Sequence, residues 1–268
     1  GTFVARRSMP RYFLELAFNG TAYRGWQRQP VAPSVQAEVE RALRLALHLP
    51  KVDATGCGRT DTGVHAIRFF AHFDAPADRD TGPRFMHSVN SILPKDIAIH
   101  RVIPVADDAH ARFSATERGY AYRIHREKDP FLTDRSHQLR PALDTGRMNE
   151  ACRALIAKGD FSSFQRTGSD NRTSLCDVRE AFWTEVPNGY RFTIRADRFL
   201  RNMVRAIVGT CLRIGRGQAP AAHMAEVVAA RDRGAAGRSA PARGLYLEHV
   251  AYPFIPADNA PGNTDLSA

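Results

Sequence analysis

The chain has 268 residues, 43% hydrophobic and 25% charged, with 38 Lys and Arg against 28 Asp and Glu for a net charge of +10. That length and apolar content suit one large or two moderate globular domains, and they exclude a fibrous or wholly disordered chain. The positive excess suits a polyanion such as nucleic acid or an anionic membrane surface, although a basic proteome would also produce it.

Residues 1–9 are short, polar and basic and are expected to be flexible. Tyr12, Leu14, Leu16 and Phe18 then alternate as a first strand closed by Asn19-Gly20. Ser34 is placed to cap a helix whose apolar stripe is Val35, Val39, Leu43, Ala46 and Leu47. Ile67, Phe69, Ala71 and Phe73 alternate as a second strand; Phe85 to Leu93 reads as a helix stopped by Pro94; Ile97 to Val105 reads as a strand. The second half repeats the theme: a strand at Gly119–Arg126, a helix at Arg147–Lys158, and a hairpin in which Asn188-Gly189 joins Asp177–Pro187 to Tyr190–Ala196. A helix over Arg201–Arg213 turns Met203, Val204, Ile207, Val208, Cys211 and Leu212 inward, and Pro220 opens another that ends near Arg233–Gly237. The pattern is α+β, with an N-terminal lobe over 10–112, a C-terminal lobe over 113–255, and a polar tail over 256–268 expected to be disordered.

The four cysteines form no Cys-x-x-Cys pair and the ten histidines no zinc-protease spacing, so no metal is expected. Neither a phosphate-binding Gly-x-x-x-x-Gly-Lys loop nor a dinucleotide fingerprint occurs, so no cofactor is expected. The absence of a long apolar run and of a signal-peptide pattern predicts a soluble cytoplasmic protein with no membrane partner. The chemistry must come from side chains. Gly56, Gly58 and Gly63 bracket Arg59, Thr60 and Asp61 between the first helix and the second strand, a loop that can turn tightly and let substrate approach. Spacing leaves two readings open: a carboxylate presented for chemistry, or an Asx-type turn in which Asp61 only caps backbone amides.

The run Gly58-Arg59-Thr60-Asp61-Thr62-Gly63-Val64-His65-Ala66 resembles the signature loop of the tRNA pseudouridine synthase A family. Tyr23–Gln29, Leu93–Ala98, His110–Thr116, Phe199–Arg205 and Gly244–Leu247 extend the resemblance in the family's order from about Tyr12 to Tyr252. It implies two ferredoxin-like (RRM-like) lobes in a pseudouridine synthase fold, with a continuous mixed or antiparallel sheet and a cleft between the lobes. It implies an isomerase that converts uridine to pseudouridine at positions 38, 39 and 40 of the tRNA anticodon stem-loop, as a cofactor-independent homodimer. A noncatalytic basic RNA-binding protein of the same fold is the alternative, and an intact Arg-Thr-Asp loop is what separates the two.

The resemblance also implies roles. Asp61 is the catalytic carboxylate, able to attack the sugar, add to the base or assist a glycal route, and the base must first be flipped out of its stack. Arg59 enters the space left by the flipped nucleotide, Tyr120 stacks on the base, and Arg205 pairs with Asp61. Tyr122 shares the strand face of Tyr120, so a pair of core aromatics is the competing reading. Arg201, Arg205 and Arg213 also fit a solvated basic stripe of the helix. His110, Ala111, Arg112, Phe113 and Ser114 match an RNA-contacting stretch, and Asn171, Arg172, Thr173 and Ser174 a second one, with Ser174 where proline is common.

Overall fold

In the computed structural model, residues 8–169 and 172–256 are described. They contain ten strands and five α-helices, an α+β architecture, and divide into two compact units: 8–115 with 252–256, and 116–251.

In the first unit the order is β1 (Arg11–Phe18), α1 (Val35–Ala46), β2 (Thr55–Gly56), β3 (His65–Asp74), α2 (Pro83–Ile92) and β4 (Ile97–Val105). The β1 strand lies between β3 and β4, and β2 adds outside β3, with every pairing antiparallel. The spatial order is therefore β4-β1-β3-β2. The α1 helix starts as expected, with Ser34 Oγ accepting from Ala37 N at 3.3 Å, and α2 begins with Pro83 in its first turn. Leu14, Leu16, Phe69 and Phe73 from the sheet are fully buried, as are Val39 and Leu43 of α1.

Period-two alternation would leave the other sheet face wet, but Phe13, Leu14, Glu15 and Leu16 are buried in succession. Phe13 packs edge-on against Tyr252 and Phe254, so the returning chain covers that face. Glu15 is admitted because it is paired on both sides, to Arg68 Nε at 2.8 Å and to Arg101.

The second unit runs β5 (Glu117–His125), β6 (His137–Gln138), α3 (Thr145–Cys152), β7 (Lys158–Asp160), β8 (Leu175–Val186), β9 (Gly189–Ala196), α4 (Met203–Gly215), α5 (His223–Ala230) and β10 (Leu245–Ala251). The order β10-β5-β9-β8-β7 is antiparallel throughout, and β6 pairs with β5 in parallel. Several expected boundaries move. The helix expected over Arg147–Lys158 ends at Cys152 and tightens into a 3-10 turn, because Lys158–Asp160 are drawn into pairing with β8. The hairpin pairs Val186 with Gly189, so its loop is Pro187-Asn188 rather than Asn188-Gly189, with Asn188 at φ 59°. Gly189 is needed one step later, where a Cβ would meet the Ile124 carbonyl oxygen at 1.9 Å. The α4 helix starts at Met203 behind a left-handed Asn202, which takes Arg201 off the helix and breaks the expected basic stripe. The β10 strand was not expected from the sequence. The tail expected over 256–268 lies outside the described residues except for Pro256, as does most of the N-terminal stretch expected to be flexible.

Candidate active site and nucleic-acid surface

The Asp61 loop, residues 57–64, joins the two-residue β2 to the ten-residue β3. Gly56 permits its entry: a Cβ there would meet the indole of Trp26 at 2.6 Å and the ring of Phe69 at 2.7 Å. Val64 N donates to the Asp61 carbonyl at 3.1 Å, and Gly63 at φ 77° supplies the left-handed residue such a turn needs. The turn is thus closed through the Asp61 backbone carbonyl. Asp61 is half-buried, between buried Thr60 and exposed Thr62, and Arg59 is exposed as well.

The loop is also bound to residues 20–26. Trp26 N donates to Thr60 Oγ1 at 3.0 Å, Gly63 N to the Tyr23 carbonyl at 3.2 Å, and Gly20 N to His65 Nδ1 at 3.0 Å. Gly25, at φ 89°, brings its backbone so close that a Cβ would stand 2.2 Å from the Thr60 carbonyl oxygen. Tyr23 is itself held, its hydroxyl donating to Asp96 Oδ1 at 2.7 Å; burial first and this bond second push the phenol well above its ordinary value.

The stretch 110–114 forms a compact turn in the same unit. His110 Nδ1 accepts from Arg112 N at 3.1 Å and Phe113 N at 3.3 Å, while Ser114 Oγ accepts from His110 N at 2.9 Å. Ala111 is buried, its N–H donating to His72 Nδ1 at 3.0 Å and its carbonyl accepting from the Tyr252 hydroxyl. Burial and the Arg11 guanidinium, with His110 adding, push His72 down to about 4; burial, Arg11 and Arg112 also lower His110. What this turn presents outward is Phe113, 75% exposed, with the Arg112 guanidinium 5.6 Å from its ring centroid. An exposed aromatic beside a cation suits a base and its phosphate.

In the second unit Tyr120 and Tyr122 share a face of β5 but not an environment. Tyr122 is fully buried and donates to the Pro241 carbonyl at 2.8 Å, which makes it a core aromatic. Tyr120 is partly exposed and meets Phe199 edge-on at 5.2 Å. Arg205, on the first turn of α4, is not a solvated edge residue: its Nε donates to the Ala240 carbonyl at 2.7 Å, and Ala240 N donates back to the Arg205 carbonyl at 2.9 Å. Arg172 and Thr173 are exposed; Thr173 Oγ1 accepts from Leu175 N at 3.1 Å, and Ser174 Oγ donates to Gln165 at 2.8 Å. Asn171 lies outside the described residues. Sequence reading missed the parts played by Thr60, His65 and Tyr23, whose only signal was their place within matched motifs. Among the described residues no group of three or more His, Cys, Asp or Glu could hold a metal ion, and no helix is long and apolar enough to cross a membrane.

The family described as tRNA pseudouridine synthase matches residues 151–253. Over the longer span, the tRNA pseudouridine synthase A of Parabacteroides distasonis is 45% identical across 91% of this chain and 97% of its own length. Those of Porphyromonas gingivalis and Bacteroides thetaiotaomicron are each 46% identical over 91% of this chain, covering 98% and 91% of their own. The chain belongs to the tRNA pseudouridine synthase A family. A solved Cbf5-Nop10-Gar1 complex contains a chain that aligns at 10% identity and TM-score 0.32 over 92% of this chain and 59% of its own.

Proposed function

We propose that this chain isomerises uridine to pseudouridine in the anticodon stem-loop of tRNA, at positions 38 to 40, with Asp61 as its catalytic carboxylate. The observation that carries the reading is the intact Gly-Arg-Thr-Asp loop, tied to a neighbouring segment by three hydrogen bonds, in a chain about 45% identical to named tRNA pseudouridine synthases over nine-tenths of its length. The reaction breaks the C1′–N1 bond, turns the base, and forms C1′–C5; the C5 proton leaves and N1 ends protonated, so no oxidant or reductant is needed. A carboxylate serves this sequence by stabilising or capturing the electron-poor sugar carbon, as in retaining glycosidases. Arg59 fills the space of the extruded nucleotide, Tyr120 stacks on its base, and Arg205 keeps Asp61 ionised and oriented. Residues 110–114, and 171–174 more weakly, grip the RNA around the target.

The repeated βαββαβ order, β4-β1-β3-β2 in the first unit and β10-β5-β9-β8 in the second, supports reading both as ferredoxin-like lobes. The enzyme works in the cytoplasm with its tRNA, as a homodimer; light scattering that finds only monomer at working concentration overturns the dimer. The central test is chemical mapping of pseudouridine in anticodon arms after incubation of unmodified tRNA with folded protein. New pseudouridine at 38 to 40 is expected, and its absence on every uridine-bearing arm rejects the proposal.

A further inference from the structure

We infer that Thr60 and His65 are positioning residues for the reaction, aiming Asp61 by accepting hydrogen bonds from the backbone N–H groups of Trp26 and Gly20. The inference rests on the reading of Asp61 as the catalytic carboxylate.

A loop of eight residues containing Gly58 and Gly63 does not hold a side chain still by its own turn. Asp61 stands one residue after Thr60 and four before His65, and these two side chains are 8% and 2% exposed. Each reaches back to a donor far along the chain, 34 residues away for Thr60 and 45 for His65. The donors sit on a stretch in backbone contact with the loop: a Cβ on Gly20 would meet the Val64 carbonyl oxygen at 1.9 Å, and one on Gly25 the Thr60 carbonyl oxygen at 2.2 Å. Gly63 N, bonded to the Tyr23 carbonyl, adds a third tie between the other two, and the Tyr23 ring is fastened to Asp96. The loop is thus held on both sides of Asp61 by acceptors that no turn-forming rule calls for. His65 can act only with Nδ1 unprotonated, which places its ring proton on Nε2. The purpose fits the chemistry: a nucleophile or charge stabiliser displaced by about 1 Å from its target loses on the order of a hundredfold in rate.

The test measures single-turnover rates at saturating tRNA, tRNA affinity and thermal melting for four variants beside Asp61→Asn. Thr60→Val removes the acceptor at constant shape and is expected to slow the step about 10- to 100-fold with affinity within about twofold, while Thr60→Ser restores the rate to within about threefold of the parent. His65→Asn sets an amide oxygen where Nδ1 stands, whereas His65→Gln carries it one carbon too far; the first is expected to run at least about tenfold faster than the second. The histidine pair decides the matter should Thr60→Val fail to fold. A merely structural role lowers melting temperatures but leaves the rates of the folded variants alike. Equal rates across both pairs, with Asp61→Asn inactive, overturn the positioning inference alone. Turnover by Asp61→Asn instead overturns the assignment of Asp61 on which it rests.

Discussion

With the short strands β6 and β7 and the helix α5 as additions in the second, both units thread strand, helix, strand, strand, helix, strand in the same spatial order, yet they differ sharply at one connection. In the second unit the strands β8 and β9 meet in the two-residue loop Pro187-Asn188, and β8 runs for twelve residues. In the first unit the corresponding β2 is cut to two residues, and an eight-residue loop carrying Asp61 takes the remaining length. A hairpin turn needs only local geometry, an Asn at positive φ and a glycine where strands crowd. The Asp61 loop gives up ladder hydrogen bonds that a longer β2 would make with β3, and it makes side-chain and backbone bonds to residues 20–26 instead. The same strand order accommodates a short structural corner in one unit and, at the equivalent place in the other, the longer loop for which we propose the chemistry.

The sharpest way to break the comparison is to disarm the loop without altering it. Asp61→Asn is expected to lower the isomerisation rate by about a thousandfold or more with tRNA affinity nearly unchanged, since the amide keeps the shape and loses the charge. Filter binding checks affinity, and release of tritium from tRNA carrying C5-tritiated uridine checks the rate. Arg205→Lys is expected to slow the reaction by about tenfold or more and Arg205→Ala further, because a lysine offers a point charge where the guanidinium offers a planar fork; parental turnover by the alanine variant removes Arg205 from the site.

Two glycine substitutions sharpen the contrast. Gly25→Ala and Gly189→Ala each drive a methyl into a backbone oxygen, at 2.2 Å and 1.9 Å, and each is expected to cost about 2 kcal/mol or more in denaturant unfolding. Only Gly25→Ala should also lower turnover per folded molecule, because its collision is with the Thr60 carbonyl beside Asp61. Equal specific activity in both variants would erase the distinction between loop and hairpin. At Tyr120, replacement by Phe keeps the ring and by Ala removes it, so a smaller rate loss for Phe than for Ala measures stacking; parental rates in both remove Tyr120 from the site.

The smallest expected effect is one the units share. Burial holds His72 of the first unit and His137 of the second near a pKa of about 4, against an ordinary 6.5. Between those values the unfolded chain binds protons that the folded one refuses, so stability falls as pH drops from about 6.5 toward 4 and is fully present above that window. Protonated His72 also cannot accept from Ala111 N at Nδ1. Urea unfolding at pH 7.5, 5.5 and 4.5 reads the slope, and His72→Asn, which keeps an acceptor but does not titrate, should flatten part of it.

Much of this architecture was legible in the sequence where signals are local. The Ser34 cap, the amphipathic stripe of α1 and the alternation in β3 all mark elements whose partners are near or whose periodicity is strong. The β10 strand escaped because Leu-Tyr-Leu-Glu-His-Val-Ala does not alternate cleanly and its pairing with β5 spans more than a hundred residues and a register shift. Phe13 escaped because alternation cannot foresee that Tyr252 and Phe254 return to cover its face. The site shows the same division. Glycine spacing marked the loop around Asp61, but the role proposed for it came only with the family resemblance. The ties from Thr60 and His65 were invisible because their donors are ordinary backbone amides in a distant segment.

The return of residues 252–256 to the first unit has a consequence for the order in which the chain folds. Residues 116–251 form a contiguous unit, whereas the first needs the Tyr252 hydroxyl on the Ala111 carbonyl and the rings of Tyr252 and Phe254 against Phe13. During synthesis the N-terminal segment emerges first but cannot be finished first. Residues 116–251 are all made before 252–256, so the chain of the later unit is finished before the aromatic cover of the earlier one, against the usual N-to-C order of domain maturation. The ties of the Asp61 loop do not wait for that cover, since their partners Gly20, Tyr23 and Trp26 all precede the loop in the chain.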